Sequence, residues 1–210
     1  MPGSSARRRS RRISVVGLKG GVGKTTTAVF LGQAAHDAGH SVVVIDADPQ
    51  ASAVKWAAEA GDHLGPTVIG QATAGLARTI DRLDADADVT IIDTPPHGAG
   101  AVTAGALAVA DLAIIPVGPT PAEMTQLADS IEMVREAGCP FAVVLVRARG
   151  GTRSREDAAA ALAAADGVPF ASTVIPLREA VAQAATGGKP PTARSGYAEL
   201  WAELEGALDG

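Results

Sequence analysis

Residues 19 to 26 read Lys-Gly-Gly-Val-Gly-Lys-Thr-Thr, a spacing suited to holding a phosphate. Gly20, Gly21 and Gly23 let the backbone take conformations closed to residues with a Cβ, so successive N–H groups can converge on an anion. Val22 and Thr26 complete that cradle. Lys24 would reach the β- and γ-phosphates of a nucleotide, and the Thr25 hydroxyl would ligate Mg2+. Lys19 is a second lysine where an ordinary loop of this kind needs only one. Carboxylates follow at Asp46, Asp48 and Asp93, the first and last of which close the apolar runs SVVVID and VTIID. Ligands of open parallel sheets bind beyond the carboxyl ends of strands, where these acids fall. Asp93 has the form of an acid that holds Mg2+ through a water, and Asp48 can accept a proton or align a water. The alternative for any one of the three is a helix cap or a turn residue.

The flanking residues must position this loop. Residues 13–18 (ISVVGL) read as a short buried strand and 25–38 as a helix closed by Gly39, so the loop lies where orphan amides and the helix dipole favour an anion. The general pattern G-x-x-x-x-G-K-[ST] asks for glycine at position 18, where this chain has Leu18. Further strands are expected at 41–46, 68–69, 89–93, 112–117, 141–146 and 173–175. Helices are expected at 51–60, 73–83, 101–110, 121–137, 152–165, 177–185 and 197–208. This alternation predicts an α/β fold, a doubly wound, mostly parallel sheet with helices on both faces.

A chain of 210 residues, 47% apolar and 20% charged, can bury one full α/β core. It holds no apolar run of the roughly 20 residues a membrane span needs, and its single Cys139 excludes an intrachain disulfide framework. These features predict a cytoplasmic protein. Residues 1–12 (MPGSSARRRSRR) carry five of the 18 basic residues and no acid, leaving 13 against 23 acids in the remainder, a net −10. The expectation is a disordered basic leader over residues 1–12 ahead of a single domain over 13–210.

The run KGGVGKTT, with Asp46-Ala47-Asp48-Pro49-Gln50 and Ile91-Ile92-Asp93-Thr94-Pro95-Pro96 downstream, resembles the deviant Walker A ATPases of the ParA/MinD superfamily. The likeness runs from about Ile13 to the C-terminus and is nearest the small ParF-like partition ATPases. It implies that Lys19 reaches across a dimer interface to the partner's nucleotide, as an arginine finger does. It implies further that Asp48 orients the attacking water, while Asp46 supports the metal shell with Thr25 and Asp93. Residues 115–121 (IPVGPTP) are similar to the proline-rich segment at the ParF dimer interface. Val174-Ile175-Pro176 with Gly188-Lys189-Pro190 is similar to the I-P…G-K-P stretch that makes Pro176 an adenine-pocket residue. Leu177 and Ala180 stand where many ParA proteins carry basic residues, with Arg178 beside them.

The resemblance implies an Mg2+-dependent ATP hydrolase of slow intrinsic turnover that dimerises with ATP. It would bind DNA without sequence preference, associate with the nucleoid when ATP-bound, and serve plasmid or chromosome segregation with a small DNA-binding adaptor of ParB or ParG type. Twelve residues before Ile13 leave no room for a helix-turn-helix. Arg147, Arg149, Arg153 and Arg155 form the densest basic cluster outside the leader and could contact phosphates without reading bases. Alternatives are a ParA-like ATPase positioning another cargo, and a nucleotide-gated scaffold with negligible hydrolysis. A MinD-like membrane switch would need a basic amphipathic C-terminal helix. Residues 197–210 are acidic instead, with Leu200 and Trp201 expected to face the core. An iron protein of nitrogenase type would need paired cysteines.

Overall fold

Both faces of the central sheet are apolar, which forces helices onto both. The computed structural model describes residues 9–73, 75–83, 87–96, 100–189, 191 and 194–209; residues 1–8, most of the basic leader, and Pro190 lie outside them. Strands β1 (Arg11–Val15), β2 (Val42–Asp46), β3 (Thr67–Gly70), β4 (Val89–Asp93), β5 (Leu112–Val117) and β6 (Phe141–Leu145) form one sheet in the order β3-β2-β4-β1-β5-β6, all neighbours parallel. Helices α1 (Lys24–Asp37), α2 (Ser52–Ala60), α3 (Leu76–Leu83), α4 (Ala101–Val109), α5 (Pro121–Glu136), α6 (Arg153–Ala164), α7 (Glu179–Gly187) and α8 (Tyr197–Asp209) cover it. Side chains alternate along each strand. Ile13, Val15, Val44 and Ile91 meet α1, α2, α7 and α8 on one face. On the other, Val43, Ile45 and Ile92 meet α3 and α4, while Ile115, Val143 and Leu145 meet α5 and α6.

The first strand starts earlier and ends earlier than the sequence reading of 13–18. Arg11 and Arg12 pair in register with Val89 and Thr90 of β4, the Arg12 amide donates to Asp111 Oδ2 at 2.8 Å, and Arg12 is buried. The last two residues of the expected leader therefore belong to the sheet. No strand forms at 173–175, where only isolated bridges Val143–Phe170 and Ala148–Pro176 occur. Pro169 and Pro176 bracket this segment, and neither has an N–H to give a ladder.

Pro116 sits inside β5, as the expected strand 112–117 requires, in register with Val144 of β6. In a parallel strand alternate residues bond alternate neighbours. Ala113 donates to Pro140 O on the β6 side and Ile114 accepts from Val16 on the β1 side. Pro116 shares the parity of Ile114, and β1 has ended at Val15, so its missing N–H leaves no gap in the ladder. Pro121 begins α5 behind the N-cap Thr120.

Helix α8 docks on α1. Leu200 and Trp201 are buried as expected, Tyr197 stacks at 5.2 Å on Phe30, and its hydroxyl pairs with Thr27 Oγ1 at 3.0 Å. Among the described residues no helix is long and apolar enough to cross a membrane. Truncating Trp201, one of the largest fully buried side chains, should cost about 3–5 kcal/mol by urea denaturation of Trp201→Ala. A loss under about 1 kcal/mol would contradict the docking of α8.

Candidate functional site

The end of β1 delivers the chain into α1 through a loop that needs glycine at two places. Gly21 and Gly23 have φ of 77° and 96°, left-handed values that cost other residues about 1–2 kcal/mol. Leu18 is not left-handed, so the position where the general motif asks for glycine makes no such demand here. Its amide instead donates to Ser130 Oγ on α5 at 3.3 Å. Lys24 is buried, with Nζ donating to the Lys19 carbonyl at 3.1 Å. Burial lowers its pKa, against the opposing charges of Asp93 and Asp48. Lys19 is half-buried, and among the described residues its ammonium has no hydrogen bond or ion pair.

Pairing of β4 with β2 and β1 sets Asp93 in register with Asp46 and Val15. Asp93 is fully buried, and neither carboxylate oxygen has a hydrogen-bond partner. Burial is the main cause that pushes its pKa up to about 7. The Thr25 hydroxyl, close by but outside hydrogen-bond geometry, and Lys24 pull it down, while Asp46 and Asp48 push it up. A buried, unpartnered carboxylate is costly unless it meets a cation. Mg2+ held by Thr25 and Asp93 fits that need. Among the described residues no group of three His, Cys, Asp or Glu could hold a metal unaided, which matches an ion that takes one or two carboxylates and completes its shell with phosphate oxygens and water.

Asp46 is engaged with backbone amides. Its Oδ1 accepts from the Asp48 amide at 3.1 Å, and its Oδ2 from the amides of Ala53 and Val54 at 2.9 and 3.0 Å. The carboxylate thus satisfies orphan donors at the start of α2. Burial raises its pKa, and these three bonds oppose the rise. Asp46 therefore shapes the acid loop and the start of α2. Asp48 is half-buried, with Oδ1 accepting from the Gln50 amide at 2.9 Å in an Asx turn. Ala51, at φ 52°, completes the tight entry into α2.

Two adjoining cavities receive these groups. A cleft of about 310 Å³ is lined by Gly20, Gly21, Lys24, Thr25, Asp48 and Trp56, among others. A second cavity of about 100 Å³ is lined by Gly23, Thr26, Arg147, Pro176, Val181 and Tyr197. Gly23, Thr26 and Ala185 border both, so the second lies where a base would follow the phosphates. Pro176 is in this wall. Val22 is buried beneath the loop.

Within the arginine cluster the side chains have different partners. Arg147 forms an ion pair with Glu123, and Arg153 pairs with Asp157 at 3.6 Å. Arg149 is exposed and Arg155 half-buried. Trp56, Tyr197 and the Arg147–Glu123 pair were not legible as site residues. Only Thr120-Pro121-Ala122-Glu123 carried a signal, the spacing of a capping box.

A glycine-turned loop between strand and helix, a buried lysine and a magnesium-competent acid at a neighbouring strand end define a P-loop nucleotide-binding protein. Residues 13–191 match the family model described as the CobQ/CobB/MinD/ParA nucleotide binding domain. The chain belongs to that family. Maintenance of carboxysome distribution protein A of Gloeobacter kilaueensis is 34% identical over 138 residues, 65% of this chain and 63% of that protein. Protein ParA of Rhizobium radiobacter is 33% identical over 125 residues, 59% of this chain and 56% of that protein. The matched stretch thus spans less than two thirds of these relatives. The septum site-determining protein MinD of Pyrococcus horikoshii, solved with Mg-ADP, superposes with a TM-score of 0.71 at 22% identity, covering 95% of this chain and 96% of that one. That likeness concerns the fold.

The raised pKa of Asp93 makes stability depend on pH. Unfolded, the group titrates near 3.8, and folded at about 7. The native state holds this proton across that interval, so the contribution present below pH 3.8 is lost as pH rises through about 7. Metal-free Asp93→Asn should therefore exceed wild type in stability at pH 8, with a smaller gain at pH 5. Equal gains in chemical denaturation at both pH values would contradict this.

Proposed function

We propose that this protein is a ParA-type ATPase that dimerises with ATP, binds DNA without sequence preference and drives plasmid or chromosome segregation. The observation that carries this reading is the convergence of Lys24, Thr25 and Asp48 on one cleft, with the buried, unpartnered Asp93 acting electrostatically on all three and the Lys19 ammonium unengaged. Lys24 and the loop amides bind the β- and γ-phosphates. Asp48 aligns the attacking water. Lys19 of a second copy neutralises charge developing on the phosphoryl oxygens. Bound Mg2+, held through Thr25 and Asp93, supplies Lewis-acid polarisation of the phosphates. The Pro176 cavity takes the adenine. A small DNA-bound adaptor accelerates the slow turnover and resets the dimer.

A second reading places the same chemistry in positioning another cargo. The likeness to the carboxysome distribution protein favours it, and the two readings share every step at the nucleotide. A scaffold with negligible hydrolysis is separated from both by measured turnover.

Lys24→Ala should lose nucleotide binding, whereas Asp48→Ala should bind ATP and fail to hydrolyse it. Lys19→Ala should lower turnover on the order of 10³-fold. Sedimentation should show a dimer with a non-hydrolysable ATP analogue and a monomer with ADP; a monomer in both would sink the proposal. Duplex DNA should bind the dimer with a log–log salt slope of about −0.9 per neutralised phosphate. Replacing Arg149 and Arg155 by alanine should weaken this, since Arg147 is drawn to Glu123. Binding that ignores nucleotide and disappears only on deleting residues 1–8 would assign the contact to the leader.

A further inference from the structure

Arg147 is the residue of the arginine cluster that phosphate binding does not absorb. It is one of two described non-glycine residues with positive φ, at 55°, a conformation held only when its surroundings impose it. Its side chain is held by Glu123, which is 8% exposed and pairs with the Arg147 guanidinium, and its neighbours Val146 and Ala148 donate to Val117 O and Ile175 O. Glu123 has been drawn away from an ordinary capping box. Its Oε2 accepts the Thr120 hydroxyl at 2.6 Å while Oε1 takes Arg147, so one carboxylate joins the start of α5 to the loop after β6. Room for that carboxylate exists because residue 118 is glycine. A Cβ at Gly118 would lie 2.3 Å from Glu123 Oε2.

The far side of Arg147 lines the cavity of about 100 Å³ with Gly23, Thr26, Pro176 and Tyr197. The loop carrying it is bound to the opposite wall as well, since Ala148 donates to Ile175 O at 3.1 Å and Leu177 donates to Ala148 O at 3.1 Å. The base-facing wall is thus fixed at one end by these backbone bonds and at the other by the ion pair of Arg147 with the buried Glu123 of α5. We infer that the Arg147–Glu123 pair is a positioning device for the nucleoside: it holds the wall against which base and ribose pack, and leaves the phosphate subsite untouched. Breaking it leaves the buried Glu123 carboxylate or the exposed Arg147 guanidinium without its partner and frees the left-handed backbone at Arg147 to relax.

This inference rests on the nucleotide reading above, and its test separates the two. Binding of Mg-ATP and of Mg-tripolyphosphate, which has phosphates and no nucleoside, is measured by calorimetry for wild type, Arg147→Ala, Glu123→Gln, the double variant and Gly118→Ala. The last displaces the carboxylate without altering any charge. Each single variant should bind Mg-ATP about tenfold more weakly, the scale of one lost charge-assisted contact. Tripolyphosphate affinity should stay within twofold of wild type. The double variant should be no worse than either single one, because both remove the same interaction. Unchanged ATP affinity with a lowered Tm would make the pair merely structural and overturn the inference. Equal loss for ATP and tripolyphosphate would overturn it also, by moving the effect to the phosphate loop. Wild type that bound neither probe would defeat the nucleotide reading itself and the inference with it.

Discussion

One buried charge organises the site. Asp93 ends a strand flanked by β1 and β2, and its carboxylate has no hydrogen-bond partner. Opposite it, the loop of Gly20 to Gly23 and the first turn of α1 present groups that attract anions. The Lys24 ammonium donates to the Lys19 carbonyl and is attracted by the charges of Asp93 and Asp48. A divalent cation carried with a phosphate satisfies both sides, the metal meeting Asp93 and the phosphate meeting the amides. The buried carboxylate makes the protein less stable as pH rises toward neutrality without such a ligand.

The acid loop and the base cavity are parts of one packed unit. Asp46 caps α2 with bonds to Ala53 and Val54. From the same helix, Trp56 packs edge-on against Phe30 and donates Nε1 to Lys189 O at 2.8 Å, just past α7. Helix α7 in turn lends Val181 and Ala185 to the base cavity. A shift of the Asp48 loop, which already holds Ala51 in a left-handed conformation, therefore reaches the adenine side through rigid side-chain contacts. Loops that store backbone strain are suited to such a change of state.

Much of this was legible in the sequence because it rests on short-range chemistry. The loop from Lys19 to Thr26 announces itself by residue type and spacing, and apolar runs ending in Asp46 and Asp93 mark strand ends. Sheet order was not legible, since it depends on which strands pair and not on what each contains. Asp46 shows the limit most clearly. A carboxylate at a strand end reads the same whether it faces a metal or the amides of the next helix, and only the path of the chain into α2 decides. Arg147 repeats the lesson: four arginines within nine positions looked like a surface patch until Glu123, 24 residues upstream, was placed beneath one of them. Residues 173–175 had strand composition, but the prolines at either side of the segment left only single bridges.

Without magnesium nucleotide, burial holds the Asp93 carboxyl at a pKa of about 7, so at neutrality it carries its proton in about half of the molecules. Calorimetry of preformed Mg-ATP binding at pH 7, repeated in two buffers of different ionisation enthalpy, measures the protons exchanged. With a folded pKa of about 7, wild type should release about half a proton per site on binding, and Asp93→Asn should bind with no such release. Binding heats in wild type that do not depend on the buffer would contradict the account.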